Sequence, residues 1–321
     1  MTYQVPDYGR YCLTGWCLLS GTLSLLGNLT LLFSSLVANA LKLDRVSVIL
    51  IQNLAATGVG YTIFIILPTA GSALTERWVY GTGLCVATSY LLYVLGFMNT
   101  YLVGCLNLSK LTVMLFPLRA RLRSRRCGYL ISAALWFKTT CLFIVRVIWF
   151  DRDVTFNPLV FTCSFDYRKQ PPGVFERVMF YVNVVTPFGV ILVTAGWLMM
   201  LIRRVRTLTR QGVVALLVVS VAYILSYLPF LVFPVVREEP MTVGNLRHFT
   251  VASVSTYTSF FLNPVIFYFT VTSFKSYVDR KLGRDVGRRE ARNIRDFSTR
   301  MSTLRGSMTS GIVNSSQHKQ T

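Results

Sequence analysis

The sequence predicts an all-α integral membrane protein, a bundle of seven transmembrane helices followed by a short amphipathic eighth helix. Of its 321 residues, 53% are hydrophobic and only 14% are charged, and the mean hydropathy is +0.52. A typical soluble domain carries about 25% charged residues. The few charges are also unevenly placed, because long uncharged stretches alternate with short basic segments. Together these observations exclude an ordinary soluble fold.

Seven stretches are long and apolar enough to cross the hydrocarbon core of a bilayer, which takes about 20 residues of helix. Proline and glycine recur inside them and are tolerated in membrane bundles, where neighbouring groups re-satisfy the freed backbone. We therefore expect a bundle over residues 13–270, preceded by an extracellular segment at 1–12. The stretches cover residues 13–41, 46–73, 82–115, 127–150, 174–205, 212–236 and 246–270.

The net charge of +20 is concentrated on one side of this bundle. Outside these spans, the loops after spans one, three and five and the tail after residue 270 carry 20 Lys/Arg against 5 Asp/Glu, whereas the other non-spanning segments carry 6 against 7. Basic segments face the cytoplasm. We therefore expect a plasma-membrane protein with its amino terminus outside and its carboxyl terminus inside. The charge indicates contact with anionic membrane lipids rather than with nucleic acid.

Seven cysteines are present, and several fall near the extracellular face, where disulfides persist. Cys85 begins the third span and Cys163 lies in the loop before the fifth, so these two can form a disulfide. Whether Cys12 and Cys17 pair is left open. No spacing of His and Cys is typical of a metal site, and no nucleophile–base arrangement is visible. The sequence therefore predicts neither a metal, nor a cofactor, nor an enzyme.

Motifs at fixed places in the spans carry a resemblance to rhodopsin-class (class A) G protein-coupled receptors. They occur in the family's order, and the distances from Cys85 to Lys110 and on to Pro117 also match it. The resemblance implies a receptor that passes a signal to a heterotrimeric G protein. The motifs are Gly27-Asn28, Asn53-Leu54-Ala55, Trp78-x-x-Gly81-x-x-x-Cys85, Trp136, Pro187, Pro229 and Asn263-Pro264-x-x-Phe267.

Several switch positions depart from the family's pattern. Ser109-Lys110-Leu111 replaces Asp-Arg-Tyr, so the acid that holds the base in the resting state is missing. Gly58 replaces the aspartate that binds sodium, and without a carboxylate a hard cation is poorly held. The resemblance still implies a central polar cluster of Asn28, Asn99 and Asn263. It also implies a switch formed by Lys110, Tyr223, Pro229, Asn263, Pro264 and Phe267.

The family's pocket positions carry aromatic and apolar side chains here. Leu92 stands where amine receptors have an acid, and Tyr257 stands where opsins have a lysine. The resemblance therefore implies an uncharged or hydrophobic ligand, oriented by a few hydroxyls and one amide. Aromatics at helical spacing also simply pack a bundle, and this alternative stays open. The candidate residues are Leu92, Tyr93, Gly96, Met179, Asn183, Tyr227, Phe230, Phe233, Phe249, Ser253 and Tyr257.

After the seventh span, residues 271–284 alternate apolar and basic positions at helical spacing, which predicts an eighth helix on the membrane surface. Residues 285–321 are rich in Ser, Thr and Arg and are expected to be a disordered cytoplasmic tail. Phosphorylation of this tail can recruit an arrestin-like partner.

The favoured hypothesis is a cell-surface receptor that couples an extracellular ligand, of chemosensory or orphan type, to a heterotrimeric G protein. The altered switch supports an alternative, a decoy or scavenger without G protein coupling or a constitutively active receptor. A transporter or channel ranks lower, because it needs ionisable residues along a path through the membrane, and only Lys138 and Arg146 are well placed for this, both in one span.

Overall fold

The computed structural model describes residues 7–37, 41, 43–116, 124–149, 154–165, 178, 181–204, 207–236 and 250–283. These residues form helices and one β-hairpin. In this part of the chain six helices, α1 to α6, are long and apolar enough to cross a membrane. The elements are α1 (Asp7–Leu36), α2 (Arg45–Thr75), α3 (Gly81–Leu115), α4 (Arg125–Trp149), β1 (Val154–Asn157), β2 (Thr162–Phe165), α5 (Tyr181–Leu201), α6 (Thr207–Val236), α7 (Tyr257–Thr270) and α8 (Thr272–Lys281).

The predicted all-α bundle with an eighth helix is confirmed. Residues 250–255 are also helical, so they and α7 occupy the seventh predicted span. Helix α1 begins at Asp7 rather than near residue 13. Cys12 and Cys17, both in α1, are free thiols, one exposed and one buried. Residues five apart on a helix point in different directions, which accounts for the contrast.

Helix α2 starts and ends at identifiable signals. The Asp44 side chain caps it by accepting hydrogen bonds from the backbone N–H and the hydroxyl of Ser47, at 2.9 and 2.8 Å. Such a cap satisfies an amide that has no partner within the helix. A π-helical turn at Thr62–Ile66 interrupts α2, and the chain leaves it through Glu76 at φ +57°.

Helix α3 lies at the centre of the bundle. It packs against α2, α4, α5 and α6, while α1 packs against both α2 and α7. The close approach of α1 to α7 requires a glycine, because a Cβ at Gly27 would lie 2.7 Å from Cγ of Pro264. Between α2 and α4, Asn53 donates to Ser132 Oγ at 3.1 Å and accepts from Trp136 Nε1 at 3.0 Å. Landmark residues of different helices therefore meet in space.

The β-hairpin covers one end of the bundle. Strands β1 and β2 are antiparallel, with Phe156 opposite Cys163. Cys163 is joined to Cys85 at the start of α3, with their Cα atoms 5.3 Å apart, which confirms the predicted disulfide. Phe161 is buried in an apolar core shared with α1, α2 and α7. We call this the disulfide end of the bundle, and the opposite end, where Lys110 lies, the basic end.

Large apolar side chains point away from the bundle. Leu130, Phe137 and Phe269 are 71%, 73% and 70% exposed, and similar residues occur on every one of the first six helices. Apolar surface of this extent is unfavourable in water. It is the surface expected of helices whose outer faces contact lipid tails.

Candidate ligand pocket and switch

Three aromatic rings pack together between α5 and α6. Tyr223 and Tyr227, one turn apart in α6, have ring centroids 4.5 Å apart, and Phe188 of α5 lies 5.4 and 5.5 Å from them. All three side chains are buried. Rings at these distances attract one another through their quadrupoles. A displacement of Tyr227 is therefore opposed by Tyr223 and Phe188.

Two hydrogen bonds tie α6 to α3 below these rings. The hydroxyls of Tyr223 and Thr100 are 2.6 Å apart, and Asn107 Nδ2 donates to Ser220 Oγ at 2.7 Å. All four side chains are buried. A buried polar group that loses its partner costs about 1–3 kcal/mol. The two bonds therefore hold α6 against α3 along the axis of the bundle.

Lys110 forms the next contact, at the basic end. Its Nζ donates to Asp44 Oδ2 at 3.2 Å, and the two side chains are only 6% and 14% exposed. The lysine also lies against α6, because Nζ is 3.3 Å from the position of a Cβ at Gly212. The ion pair thus joins α3 to the start of α2 and fills the space beside α6.

The Asp44 carboxylate is held in its charged form. Burial raises its pKa, but the charge of Lys110 and the hydrogen bonds from Ser47 together outweigh burial and bring the pKa below its usual value. The expectation that Lys110 lacks an acidic partner is therefore wrong. The acid comes from the cap of α2, 66 positions earlier in the chain, and not from Ser109 beside it.

Tyr257 packs into the side of the bundle formed by α1, α2 and α7. It is 2% exposed and lies edge-on to Tyr61, with 6.0 Å between ring centroids, and Tyr61 stacks on Phe260 at 3.8 Å. Leu92 packs against the same core. Beside it the nearest atom to a Cβ at Gly96 would be 4.0 Å away, on Tyr61. Tyr257, Leu92 and Gly96 therefore lie on one wall of the candidate pocket. A Cβ at position 96 would meet no atom closer than 4.0 Å.

Other candidate pocket residues lie on a different wall of the pocket, next to α4 and in α5. Tyr93 stacks on Phe143 of α4 at 5.8 Å. Asn183 is fully buried in α5 and accepts a hydrogen bond from Tyr101 at 2.8 Å. Phe230 and Ser253 are partly buried. Met179 and Phe249, and the side chain of Phe233, lie outside the described residues. The predicted set is therefore divided between two sides of α3.

The polar cluster has one well-defined member. Asn28 Nδ2 donates to the Phe260 carbonyl at 2.9 Å and to the Ser24 carbonyl at 2.8 Å. A Cβ at Gly58 would lie 2.6 Å from Asn28 Cγ, so the amide occupies the space that a side chain at 58 would need. Asn99 makes a long contact of 3.5 Å to Ser259. Within the described residues, no group of three or more His, Cys, Asp or Glu is placed to hold a metal.

The remaining switch residues are buried at α7 or lie on α6. Asn263 and Phe267 are 3% and 1% exposed, and Pro264 contacts α1 at Gly27. Pro229 is exposed and follows Tyr227 by two positions. Sequence reasoning missed Thr100, Asn107 and Asp44 as switch partners. The signal for Thr100 and Asn107 was that polar residues recur on one face of the otherwise apolar α3. No local sequence pattern marked Asp44.

The comparisons with known proteins agree on one family. The family model "7 transmembrane receptor (rhodopsin family)" matches residues 27–267. The rat (Rattus norvegicus) somatostatin receptor type 5 is 24% identical over 282 residues, covering 80% of this chain and 74% of that protein. The zebrafish (Danio rerio) C3a anaphylatoxin chemotactic receptor is 24% identical over 250 residues, covering 76% and 69%.

Two further similarities cover different shares of the chain. Apelin receptor A of Danio rerio is 30% identical over 133 residues, which cover 41% of this chain and 36% of that protein. The crystal structure of squid rhodopsin superposes with a TM-score of 0.73 at 15% identity, covering 89% of this chain and 88% of that one. The first is confined to part of the bundle, and the second shows the fold. The family model matches most of the length of this chain, and the chain therefore belongs to the rhodopsin family of seven-transmembrane receptors.

Proposed function

We propose that this receptor couples the binding of an extracellular, uncharged or hydrophobic ligand to a heterotrimeric G protein. In the proposed orientation the disulfide end of the bundle faces the outside of the plasma membrane and the basic end faces the cytoplasm. The amino terminus is then extracellular and the carboxyl terminus cytoplasmic. The excess of basic residues in the inner segments supports this orientation.

The observation that carries the proposal is a continuous series of contacts between α3 and α6. It begins at the ring of Tyr227, continues through the Tyr223–Thr100 hydrogen bond, and ends where Lys110 lies beside Gly212. The series connects the level of the candidate pocket to the basic end. A ligand that stabilises a different position of Tyr227 therefore also destabilises the contacts that close the basic end.

Pro229 provides the bend for this motion. Proline lacks the N–H that would bond to the preceding turn, so the helix flexes there at lower cost. When the inner half of α6 moves away from α3, the Asn107–Ser220 bond breaks and the side of Lys110 is uncovered. Its ammonium can then donate hydrogen bonds to carbonyl groups at a helix terminus of the G protein. Ligand binding shifts the population between these two arrangements.

The ligand class follows from the buried aromatic walls. Tyr61, Tyr227 and Tyr257 supply large apolar faces with hydroxyls at their edges, and Leu92 supplies no charge. The relatives named for somatostatin, C3a anaphylatoxin and apelin are at most 30% identical, and their ligands are not transferred to this receptor. Membrane lipids around α8 and an arrestin-like protein at the phosphorylated tail complete the proposed partners.

A second function, a decoy or scavenger that does not activate G proteins, is favoured by the altered switch. Asn28 fills the space of the family's aspartate at Gly58, and Lys110 replaces the arginine. The test is nucleotide exchange by purified receptor in lipid nanodiscs with a panel of G proteins. Exchange above that of empty nanodiscs with any G protein supports coupling, with or without a screened ligand. Ligand binding without exchange across the whole panel supports the decoy instead.

A further inference from the structure

Lys138 is a lysine at the middle of a transmembrane helix. It lies 13 residues after the start of α4 at Arg125 and 11 before its end at Trp149. At about 1.5 Å per residue, its Cα is roughly 20 Å from one end of the helix and about 16 Å from the other. Lysines near helix ends extend to the headgroups, but a lysine at this depth has no such route. A charge in such a place is expensive and marks a functional site.

The ammonium of Lys138 is anchored at that depth by α3. Its Nζ donates to Tyr101 Oη at 2.8 Å and lies 4.0 Å from the centroid of the same ring. The Tyr101 hydroxyl in turn donates to Asn183 Oδ1 in α5 at 2.8 Å. The three side chains form a directed chain of hydrogen bonds across α4, α3 and α5. Because its acceptor in α5 is an amide carbonyl oxygen, the chain supports a positive charge on Lys138 without neutralising it.

Among the residues that the structure describes, no carboxylate lies near Lys138. The acidic residues of the described part of the chain are Asp7, Asp44 and Glu76 at the starts or ends of α1 and α2, and Asp279 in α8. Among the described residues, no Asp or Glu lies within 4.0 Å of Lys138. An ammonium has three donors, and in this part of the structure only the bond to Tyr101 uses one of them. Within the described ranges, the charge of Lys138 is therefore not compensated by an anion.

The surroundings of Lys138 open toward lipid. Helices α4 and α5 each pack on α3 and, within the described residues, make little contact with each other. Lys138 itself is partly exposed, its neighbour Phe137 is 73% exposed, and Val182 and Val185 of α5 are 43% and 40% exposed. The space between α4 and α5, which we call the crevice, has the Lys138–Tyr101 contact at α3, and both flanking helices carry exposed apolar side chains.

We propose that this crevice binds the carboxylate of a long-chain fatty acid that enters from the bilayer. In its protonated form a fatty acid can move into the apolar core, and on pairing with Lys138 it ionises and its proton returns to water. An ionised phosphate headgroup is held at the membrane surface, about 15 Å from the middle of the core, because burying its charge is too costly. The acyl chain then lies along the exposed apolar faces of α4 and α5. This site shares only Asn183 with the candidate pocket residues and does not involve Tyr61, Tyr227 or Tyr257, so failure of one proposal leaves the other in place.

The test is photoaffinity labelling of the full-length receptor in phosphatidylcholine nanodiscs. The probes are a 16-carbon fatty acid that carries a diazirine and an alkyne, the corresponding fatty alcohol, and the corresponding lysophosphatidic acid. We expect the acid to label peptides of α3, α4 and α5 saturably, about tenfold more than the alcohol, because a charge-assisted contact is lost in the alcohol. Unlabelled palmitic acid should compete. Equal labelling by acid and alcohol overturns the proposal, and stronger labelling by the lysophosphatidic acid overturns the choice of a fatty acid.

Substitutions of Lys138 test whether its charge binds the carboxylate of the fatty acid. Lys138→Gln should lower labelling by the acid about tenfold, and Lys138→Arg should keep it, because arginine retains the charge at nearly the same reach. Lys281→Gln, which removes an exposed lysine of α8, is the matched control and should leave labelling of α3–α5 unchanged. Labelling of Lys138→Gln at the wild-type level would overturn the proposal. If that variant does not fold, the comparison of acid with alcohol in the wild-type receptor still decides.

Discussion

Lys110 in α3 donates to the Asp44 carboxylate at the start of α2 across 3.2 Å, in a region where both side chains are nearly buried. Removing one partner of a buried ion pair typically costs about 3–5 kcal/mol, because the other charge is left without compensation. The pair therefore restrains the basic end. In the proposed mechanism this pair takes the place of the acid that the family has immediately before its basic residue, and the acid comes from the start of α2.

Asp44→Asn should raise basal G protein activation at least about fivefold, because losing about 1 kcal/mol of restraint shifts a two-state equilibrium by that factor. The measurement is nucleotide exchange without ligand, at equal amounts of purified receptor. Asp7→Asn, which removes an exposed acid at the far end of the bundle, is the control and should leave exchange unchanged. Basal exchange that stays at the wild-type level in a folded Asp44→Asn receptor would show that the pair does not restrain activity.

Lys110→Ala should abolish ligand-dependent exchange while leaving surface expression largely intact. The reason differs from that for Asp44→Asn, because here the donor for the G protein is lost together with the restraint. Lys110→Arg should keep both functions, since the guanidinium can pair with Asp44 and donate to carbonyls. The check is exchange and cell-surface labelling measured on the same cells. Full signalling by Lys110→Ala would remove this residue from the coupling site.

Parts of this architecture were predictable from sequence for physical reasons. Uncharged stretches identify spans because any helix that crosses a bilayer must be apolar, and the charge bias depends only on counting loops. The disulfide was predictable because Cys85 and Cys163 fall near the same face. The Asp44–Lys110 pair was not, because it depends on how α2 docks against α3. Nor does the sequence reveal that Tyr257 and Tyr93 face different walls, since both have helical spacing and similar chemistry.

Gly58→Ala should destabilise the receptor by about 1–3 kcal/mol, the usual cost of adding volume to a tightly packed site. The new Cβ would lie 2.6 Å from Asn28, whose amide is held by its bond to the Phe260 carbonyl. Thermal unfolding in detergent measures the effect. Gly196→Ala is the matched control, because nothing lies within 4 Å of a Cβ there. A Gly58→Ala receptor as stable as this control would show that Asn28 can move aside.

Cys85→Ser should lower the unfolding temperature and reduce surface delivery or ligand binding. The disulfide closes a loop with a sequence separation of 78 residues and pins the hairpin over the bundle, and loss of such a bridge typically costs about 2–5 kcal/mol. Cys12→Ser, at an exposed free thiol, is the control and should behave like the wild type. Equal surface expression and equal stability of both variants would mean that the hairpin is held by Phe161 and its neighbours alone.

The Tyr223–Thr100 hydrogen bond should be coupled to activation, which a double-mutant cycle can measure. Tyr223→Phe and Thr100→Val each remove the bond at nearly constant volume, and Thr100 also donates to the Gly96 carbonyl at 3.1 Å. If the bond holds α6 in its resting position, each single variant should raise basal exchange. The double variant should add little, giving a coupling energy of about 1 kcal/mol. Strictly additive effects would show that the two hydroxyls act separately, and the contact series from Tyr227 to Lys110 would then be interrupted at its second step.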